Sequence, residues 1–149
     1  MALPPELLDD LRAAVGTAHV LTKPEELATY DCDGLTSWRA TPAAVVLPAS
    51  ADEVQAVVRA CAVRRVPFVA RGAGTGLAGG ATPLDHALVI SLTKMNAVLS
   101  VDPVNRLAWV EPGVLNLDLT RAVADRGRHY APDPSSQQAG CIGGNVATN

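Results

Sequence analysis

A cluster of glycines places the strongest constraint on how this chain can fold. Five glycines lie between Arg71 and Ala81 in the stretch VARGAGTGLAGGATP, residues 69–83, directly after an apolar segment. Glycine loses more conformational entropy on folding than any other residue, so a cluster of this density needs a compensating role. Tight turns could supply that role, and so could a loop whose bare backbone N–H groups press against a ligand. We call residues 71–81 the glycine loop.

The segment before the glycine loop has the pattern of a strand–helix–strand unit. Residues 43–48, AAVVLP, and residues 66–70, VPFVA, are short apolar runs typical of buried strands. Between them, residues 50–65 place Ser50 and Glu53 at capping-box spacing and then repeat apolar side chains every three or four positions, which predicts an amphipathic helix. Two strands joined by one helix run parallel in a sheet. The glycine loop is therefore expected to leave the end of a parallel strand.

Short helices and locally connected strands are predicted on either side of this unit. The predicted elements are a helix over residues 4–16 ending at Gly16, a helix opened by a capping box between Thr22 and Glu25, a loop over 31–42, strands over 86–92 and 106–113 with a short strand between them, and a helix that Asn116 caps and Gly127 ends. Because the strands after the glycine loop follow one another closely, they are expected to pair with one another. The predicted fold class is α+β, with a small parallel βαβ part and a mixed or antiparallel sheet with helices.

The composition argues against several classes of partner. The net charge is −3 and no run of lysine or arginine exceeds two residues, so no nucleic-acid footprint is present. No apolar run approaches the roughly 20 residues that span a bilayer, and the N-terminus has neither the basic patch nor the apolar core of a signal peptide. We therefore expect no nucleic-acid partner, no membrane span and a cytoplasmic location.

Three cysteines, Cys32, Cys61 and Cys141, are far apart in the sequence. No CxxC pair is present, so neither a zinc site nor a redox dithiol is predicted. Cys61 falls on the apolar stripe of the predicted helix over residues 50–65 and is expected in the core. Reduced thiols agree with a cytoplasmic location.

Three interpretations of the glycine loop remain open on the residues alone. Residues 74–79, GTGLAG, match the dinucleotide fingerprint GxGxxG, with Asp102 as the candidate ribose-binding acid. That fingerprint needs a helix directly after it, whereas Pro83 and a predicted strand follow here. The phosphate loop of ATPases is disfavoured because no Lys-Ser or Lys-Thr pair follows the glycines. A second interpretation is that the glycines only make turns.

The third interpretation is an anion site made by the backbone. Successive N–H groups in a glycine loop form a concave nest for phosphate oxygens, and a Cβ there would hold the ligand away. Between Val54 and Leu84 the chain has four arginines and no acidic residue, so the local field favours an anion. The Thr75 hydroxyl is one further donor.

A second glycine-rich segment closes the sequence. Residues 131–149, APDPSSQQAGCIGGNVATN, combine a proline-rich turn carrying hydroxyls with glycines that expose backbone beside an amide side chain. Two such loops on one short chain indicate a long ligand held at two places, and a dinucleotide fits. Because the chain stops inside this segment without a cap or a charged tail, we expect it to be a fragment of a longer protein.

Four of these stretches together resemble one protein family. VVLPASADEVQAVVRAC, VPFVARGAGTGLAGGATP, WVEPGV and APDPSSQQAGCIGGNVATN are similar, in order and spacing, to the FAD-binding domain of the vanillyl-alcohol-oxidase or PCMH-type flavoproteins. They are most similar to the branch of glycolate oxidase D-subunits and D-lactate dehydrogenases. The resemblance implies a small parallel βαβ part and a larger mixed sheet with FAD between them. It covers residues 28–149, an FAD-binding domain incomplete at its C-terminal end, and leaves residues 1–27 as an N-terminal helical extension.

The resemblance also implies which residues hold FAD. The pyrophosphate would lie on the glycine loop, the flavin side near the proline-rich turn, and the flavin and ribityl region along the second glycine-rich segment. The residues expected at these three places are, in order, Arg71, Gly72, Ala73, Gly74, Thr75, Gly76, Gly79 and Gly80; Pro134 and Ser135; and Gly140, Gly143, Gly144 and Asn145. Ala73 departs mildly from the glycine that is common in this branch. Neither a catalytic residue nor a metal site is implied within the chain.

The activity that the resemblance implies is hydride transfer from a small 2-hydroxy acid to FAD. The flavin is expected to be non-covalent, because relatives that tether it through this loop place a histidine about where Thr75 stands. The substrate domain would lie beyond residue 149, so the chain alone is expected to be inactive, and an iron–sulfur electron-transfer subunit is an expected partner. The alternative is a nucleotide-binding module without catalysis. His86 and His129 are expected to be surface or hydrogen-bonded residues.

Overall fold

The computed structural model describes residues 3–84, 86–132 and 134–148. The helices are α1 (Pro5–Val15), α2 (Pro24–Leu27), α3 (Ala51–Arg64), α4 (Asn116–Val123) and α5 (Ile142–Thr148). The strands are β1 (Val20–Leu21), β2 (Ala44–Val46), β3 (Phe68–Arg71), β4 (Leu88–Ser91), β5 (Val98–Asp102) and β6 (Leu107–Val110). Single 3₁₀ turns cover Thr17–His19, Ala28–Tyr30 and Ala124–Arg126.

Four strands form one sheet in the order β1–β2–β4–β3. β2 and β3 both run parallel to β4, and β1 is antiparallel to β2 at one edge. The parallel unit predicted before the glycine loop is confirmed, but its two strands are not neighbours because β4 lies between them. The prediction that the strand over residues 86–92 pairs with later strands is therefore wrong. All four residues of β4 are buried, and an uninterrupted apolar run favours a central parallel strand covered on both faces.

The two faces of this sheet are covered differently. On the first face α1 and α3 pack against alternate strand residues, and the buried side chains there are Leu7, Leu11, Val15, Val46, Val57, Cys61, Leu88 and Ile90. Val45 and Val89 point to the opposite face, because successive strand residues alternate, and they pack with Leu27 of α2. The expected core position of Cys61 is confirmed.

The start of the chain shares the core of the sheet. α1 has proline in its first turn, where a missing N–H costs nothing, and ends before Gly16, whose φ of 83° suits glycine. Its buried leucines belong to the cluster that contains α3, and Val20 of β1 pairs with Val46 of β2. The domain boundary between residues 27 and 28 stays a prediction.

A hairpin and two helices form the second part of the fold. β5 pairs with β6 in an antiparallel hairpin, as expected for strands that follow one another. The hairpin packs with α4 and α5 around Val114, Leu119, Val123 and Ile142. Gly113 joins this part to the sheet, because its N–H donates to the Met95 carbonyl at 2.7 Å and a Cβ there would collide with a neighbouring carbonyl. The α+β class is confirmed.

The start of α2 differs from the sequence prediction. Its capping residue is Lys23, whose N–H donates to the Glu26 carboxylate at 3.3 Å, and the Thr22–Glu25 capping box is therefore wrong by one residue. This register places Pro24 at the first helical position, which is the position that proline favours.

The start of α4 also differs. Leu115 is the capping residue, so Asn116 lies inside the helix instead of capping it. The first helical N–H groups are satisfied by another loop: the carbonyls of Gly140 and Gln137 accept from the N–H groups of Asn116 and Leu117, each at 3.1 Å. A side-chain cap is unnecessary where tertiary partners satisfy these donors. Gly127, with φ of 63°, ends the helical segment as predicted.

Candidate functional site

The glycine loop begins where β3 ends, at the edge of the sheet where the parallel strands terminate. Ligands of parallel sheets bind outside the carboxyl ends of the strands. No helix occurs in residues 72–84, so the helix that the dinucleotide fingerprint over 74–79 requires is absent from this stretch. Asp102, the candidate ribose acid, lies in the β5–β6 hairpin, where its carboxylate accepts from the Val104 and Asn105 N–H groups, each at 3.0 Å.

The Arg71 guanidinium is enclosed at the base of the glycine loop. The residue is only 7% exposed. Its Nη1 donates to the Cys32 carbonyl at 2.7 Å and to the Ala81 carbonyl at 3.2 Å. Its Cζ lies 5.5 Å from the centroid of the Tyr30 ring, within the range of a cation–π contact. Arg71 therefore joins the first residue of the loop to the last.

Two glycines at this site are required by contacts within the protein. Gly74 has a φ of 74°, and a Cβ there would collide with the Arg71 guanidinium. Gly34 packs against the outside of the glycine loop, where a Cβ would lie 2.8 Å from the Gly76 carbonyl oxygen and 3.0 Å from that of Thr75. A side chain at Gly34 would displace the loop backbone, and one at Gly74 would displace the Arg71 guanidinium.

The two glycine-rich segments lie against each other. A Cβ on Gly72 would lie 3.2 Å from the Cys141 Cβ, and a Cβ on Gly140 would lie 3.5 Å from the Thr75 hydroxyl. The Cys141 thiol donates to the Ala139 carbonyl at 3.9 Å, and burial raises the pKa of this thiol. The segments that the sequence predicted to hold one long ligand are thus adjacent, and Cys141 of the second segment faces Gly72 of the first.

Part of the second segment forms a helix that the sequence analysis missed. Residues 142–148 form α5, where exposed loop backbone was predicted. Gly143, the second residue of this helix, is in close contact with Pro112: its N–H donates to the Pro112 carbonyl at 2.9 Å, and a Cβ would lie 2.8 Å from the Pro112 Cβ. The Asn145 amide donates to the buried Asn116 side-chain oxygen at 2.7 Å, which fixes α5 against α4.

Three glycines have open space where a side chain would lie. A Cβ on Gly76, Gly80 or Gly144 would meet no protein atom within 4 Å. None of the three has a positive φ, unlike Gly79, whose φ is 75°. Neither packing nor backbone conformation in the described part of the chain therefore requires glycine at these three positions. Room for an external group held against the backbone is the remaining physical reason.

Pro134 and Ser135 lie in the turn that leads into the second segment. The Pro134 carbonyl accepts the Gln137 N–H at 2.9 Å, and the Ser136 carbonyl accepts the Gly140 N–H at 2.6 Å. Pro134 is half-buried and Ser135 is exposed. Their expected place at the flavin side stays a prediction, and the Asp133 of the same turn lies outside the described residues.

The loop over residues 31–42 supplies contacts that the sequence analysis did not assign to the site. Besides Gly34, the buried Asp33 accepts the Leu35 N–H at 2.8 Å, and Trp38 lies 3.9 Å from the position of a Cβ on Gly79. The sequence held one weak signal, an aspartate followed by glycine, which is typical of a turn with a defined shape. The link to the glycine loop had no local signal, because Cys32 and Arg71 are 39 positions apart.

Asp31 closes that loop. Its carboxylate accepts from the Arg39 guanidinium at 2.8 Å, and its carbonyl accepts the Ala40 N–H at 2.8 Å. The hydrogen bond from Arg39 lowers the pKa of the Asp31 carboxyl below its usual value. Because the pair is solvent-exposed, its contribution is the shape of the loop more than stability.

Within residues 3–84, 86–132 and 134–148, no helix is long and apolar enough to cross a bilayer. The same ranges contain no group of three or more histidine, cysteine, aspartate or glutamate side chains placed to hold a metal ion.

Sequence relatives of this chain include a glycolate oxidase subunit and a D-lactate dehydrogenase. The glycolate oxidase subunit GlcD of Escherichia coli is 48% identical over 139 residues, which are 93% of this chain and 28% of that protein. The D-lactate dehydrogenase of Anaerostipes hadrus is 40% identical over 125 residues, which are 84% of this chain and 25% of that protein. These matches confirm the resemblance to that branch. The chain spans little more than a quarter of the length of these relatives.

The fold has a counterpart among solved structures. Alkyldihydroxyacetonephosphate synthase superposes with a TM-score of 0.87 at 23% identity, covering 97% of this chain and 29% of that one. This likeness confirms the fold that the resemblance implied. Residues 42–149, most of the chain, match the family model described as the FAD binding domain. These residues include both glycine-rich segments, and the chain therefore belongs to the family of FAD-binding domains.

Proposed function

We propose that this chain is the cofactor-holding part of an FAD-linked oxidoreductase that oxidises a small 2-hydroxy acid. The observation that carries the proposal is the open space at Gly76, Gly80 and Gly144, on two segments that lie against each other. The names of the two relatives mention glycolate and D-lactate, which are both small 2-hydroxy acids. Their chemistry supports this substrate class.

The residues of the site fit FAD. We propose that the pyrophosphate lies on the backbone N–H groups of the glycine loop, with the Thr75 hydroxyl as a further donor. The flavin and ribityl region would lie along Gly144 and Asn145. This arrangement uses loop backbone for the phosphates, whereas the NAD fingerprint uses a helix N-terminus, and residues 72–84 contain no helix. The geometry therefore favours FAD over NAD.

When bound, FAD supplies a ring that accepts a hydride from the carbon carrying the substrate hydroxyl. The residues of this chain bind and orient the cofactor and shield one side of it from water. We propose that the groups that hold the substrate carboxylate belong to a part of the protein outside this chain. The Escherichia coli relative is named as a subunit, which supports a partner, and an iron–sulfur electron-transfer protein is the class we expect. Three free thiols support a cytoplasmic location.

Gly76→Val is expected to weaken FAD binding at least about tenfold. The new side chain fills the space proposed for the cofactor and prevents a hydrogen bond from a loop N–H to the pyrophosphate. The same change should alter the free energy of unfolding by no more than about 0.5 kcal/mol, since the added atoms meet no protein group. Fluorescence titration with FAD and thermal unfolding measure the two effects. Ala62→Val, on the exposed side of α3, is the control for added volume. Equal FAD affinity in both variants would contradict the proposal.

The flavin is expected to be released completely by acid precipitation. Residue 75 is threonine, and a neutral hydroxyl is a poor nucleophile toward the flavin ring methyl. Absorbance of the supernatant and the pellet after precipitation measures the free and the bound fractions. A pellet that stays yellow after denaturation would show a covalent bond.

A nucleotide-binding module without catalysis is the second candidate. The observation in its favour is that both hydrogen-bond partners of the Arg71 guanidinium are carbonyls of the protein, so the one cation of the glycine loop is already used within the fold. The two candidates share FAD binding and differ in turnover once the chain is part of a complete protein. Flavin reduction by glycolate or D-lactate in that protein distinguishes them.

A further inference from the structure

We propose that Arg71 is a positioning residue that holds the glycine loop in its binding shape, instead of contacting the pyrophosphate through its side chain. The proposed function enters this inference only through the binding measurement. The contacts of Arg71 that support the inference all lie within the protein.

Arg71 closes the glycine loop. Arg71 is the first residue of the glycine loop, and its guanidinium donates to the carbonyl of Ala81, the last residue, at 3.2 Å. A glycine-rich segment of this length has many conformations, and tying its ends together removes much of that freedom. One buried cation thus fixes the span of the loop.

The Arg71 side chain packs directly against Gly74. The guanidinium occupies the space where a Cβ on Gly74 would lie. Gly74 is glycine because its φ is 74° and because Arg71 is packed there, so the Arg71 side chain contacts the loop at its fourth residue as well as at its end.

The Arg71 guanidinium is held in place by groups outside the glycine loop. The Cys32 carbonyl accepts from Nη1 at 2.7 Å, and the Tyr30 ring lies at cation–π distance. These groups come from a separate stretch of the chain, which also packs on the loop through Gly34. With the residue 7% exposed, its charge is held within the protein and favours an anion on the loop N–H groups without touching it.

The first measurement uses the protein without FAD. Backbone ¹⁵N relaxation is recorded for the glycine amides of the loop in wild type, Arg71→Met and Tyr30→Leu. We expect order parameters to fall from about 0.85 toward 0.6 in Arg71→Met, with a smaller fall in Tyr30→Leu. Arg59→Met, on the exposed surface of α3, controls for the lost charge and should change nothing. Unchanged loop order in Arg71→Met would overturn the proposal and favour a side-chain contact with the ligand.

The second measurement is a double-mutant cycle on thermal unfolding. Gly74→Ala should destabilise the wild type strongly and destabilise Arg71→Ala less, because removing the guanidinium removes the collision. Additive effects of the two substitutions would overturn the proposed support of Gly74 by Arg71. If Arg71→Ala does not fold, Arg71→Lys takes its place in the cycle, since lysine keeps the charge and loses the planar fork.

The third measurement is FAD affinity with chemical rescue. Arg71→Ala should bind FAD at least about tenfold more weakly, and ethylguanidinium below denaturing concentrations should restore both affinity and loop order. A merely structural defect would not recover in this way. Restored affinity with a loop that stays mobile would contradict positioning. If the wild type binds no FAD, the proposed function fails, while the relaxation and unfolding measurements still decide the role of Arg71.

Discussion

Gly74→Asp is expected to abolish FAD binding, with an affinity at least about 100-fold below wild type. A negative charge set against a pyrophosphate costs several kcal/mol of binding, and about 3 kcal/mol corresponds to about that factor. The new Cβ also collides with the Arg71 guanidinium, and the carboxylate adds a negative charge to a loop proposed to hold a pyrophosphate. From the sequence alone, only the contact with the pyrophosphate could be argued. The structure adds the collision on the protein side.

The matched control for this prediction is Gly127→Asp. Gly127 has a φ of 63°, and a Cβ there would meet open space, at the end of a helical segment outside the glycine loop. It introduces a comparable backbone strain and the same charge outside the site. FAD titration and circular dichroism are measured for both variants. If Gly74→Asp retained the affinity and the stability of Gly127→Asp, the assignment of the glycine loop would be wrong.

The chain purified alone is expected to show no steady turnover of glycolate or D-lactate, even where it binds some FAD. Oxidation of a 2-hydroxy acid needs a base near the hydroxyl and cations on the carboxylate, each within hydrogen-bond distance. Arg71 is the cation of the glycine loop, and both of its partner carbonyls belong to the protein. The loop therefore offers backbone N–H groups but no general base.

The three histidines lie in other places. The His19 ring nitrogen Nε2 lies 2.8 Å from the Lys94 ammonium. His86 is exposed in the turn before β4, with a φ of 64°. His129 lines a cavity of about 420 Å³ between the β5–β6 hairpin and the helices α4 and α5. No residue of the glycine loop lines that cavity, so His129 does not share it with the glycine loop.

The test of this prediction is reduction of an artificial electron acceptor by the isolated chain with FAD and a 2-hydroxy acid. Background reduction without the acid is subtracted, and Arg71→Ala serves as the variant with weakened cofactor binding. Steady reduction that depends on the acid and disappears in Arg71→Ala would show that this segment carries a complete site.

The folded core could be predicted in part from local patterns. α3 was correctly predicted because its capping serine and its apolar repeat lie within one short stretch, and Ser50 accepts the Glu53 N–H at 3.2 Å. The place of β4 could not be predicted in the same way. A run of four apolar residues fits a hairpin strand or a central parallel strand equally well, and only the covering of both faces decides between them.

The candidate site too could be predicted only in part from the sequence. The density of glycines is enough to locate the loop in the sequence. A Cβ on Gly76 or Gly80 would meet no protein atom, which is consistent with a ligand bound against the backbone there. Gly72, Gly74 and Gly143 carry a different requirement, since each packs against a protein group from elsewhere in the chain or across a turn. The residue type is the same in both sets, so the sequence could not separate them.

The class of fold and the position of the glycine loop after a parallel strand follow from the amino-acid sequence, because periodicity, caps and glycine clusters are properties of neighbouring residues. The family follows from the resemblance of four stretches of that sequence. The contacts of Arg71 are visible only in the tertiary structure. Its partners, the Cys32 carbonyl and the Tyr30 ring, come from a loop with no pattern that links it to the glycines. A buried guanidinium needs hydrogen-bond acceptors, and here the fold supplies them from residues far away in the sequence. No local sequence pattern indicates which residues these are.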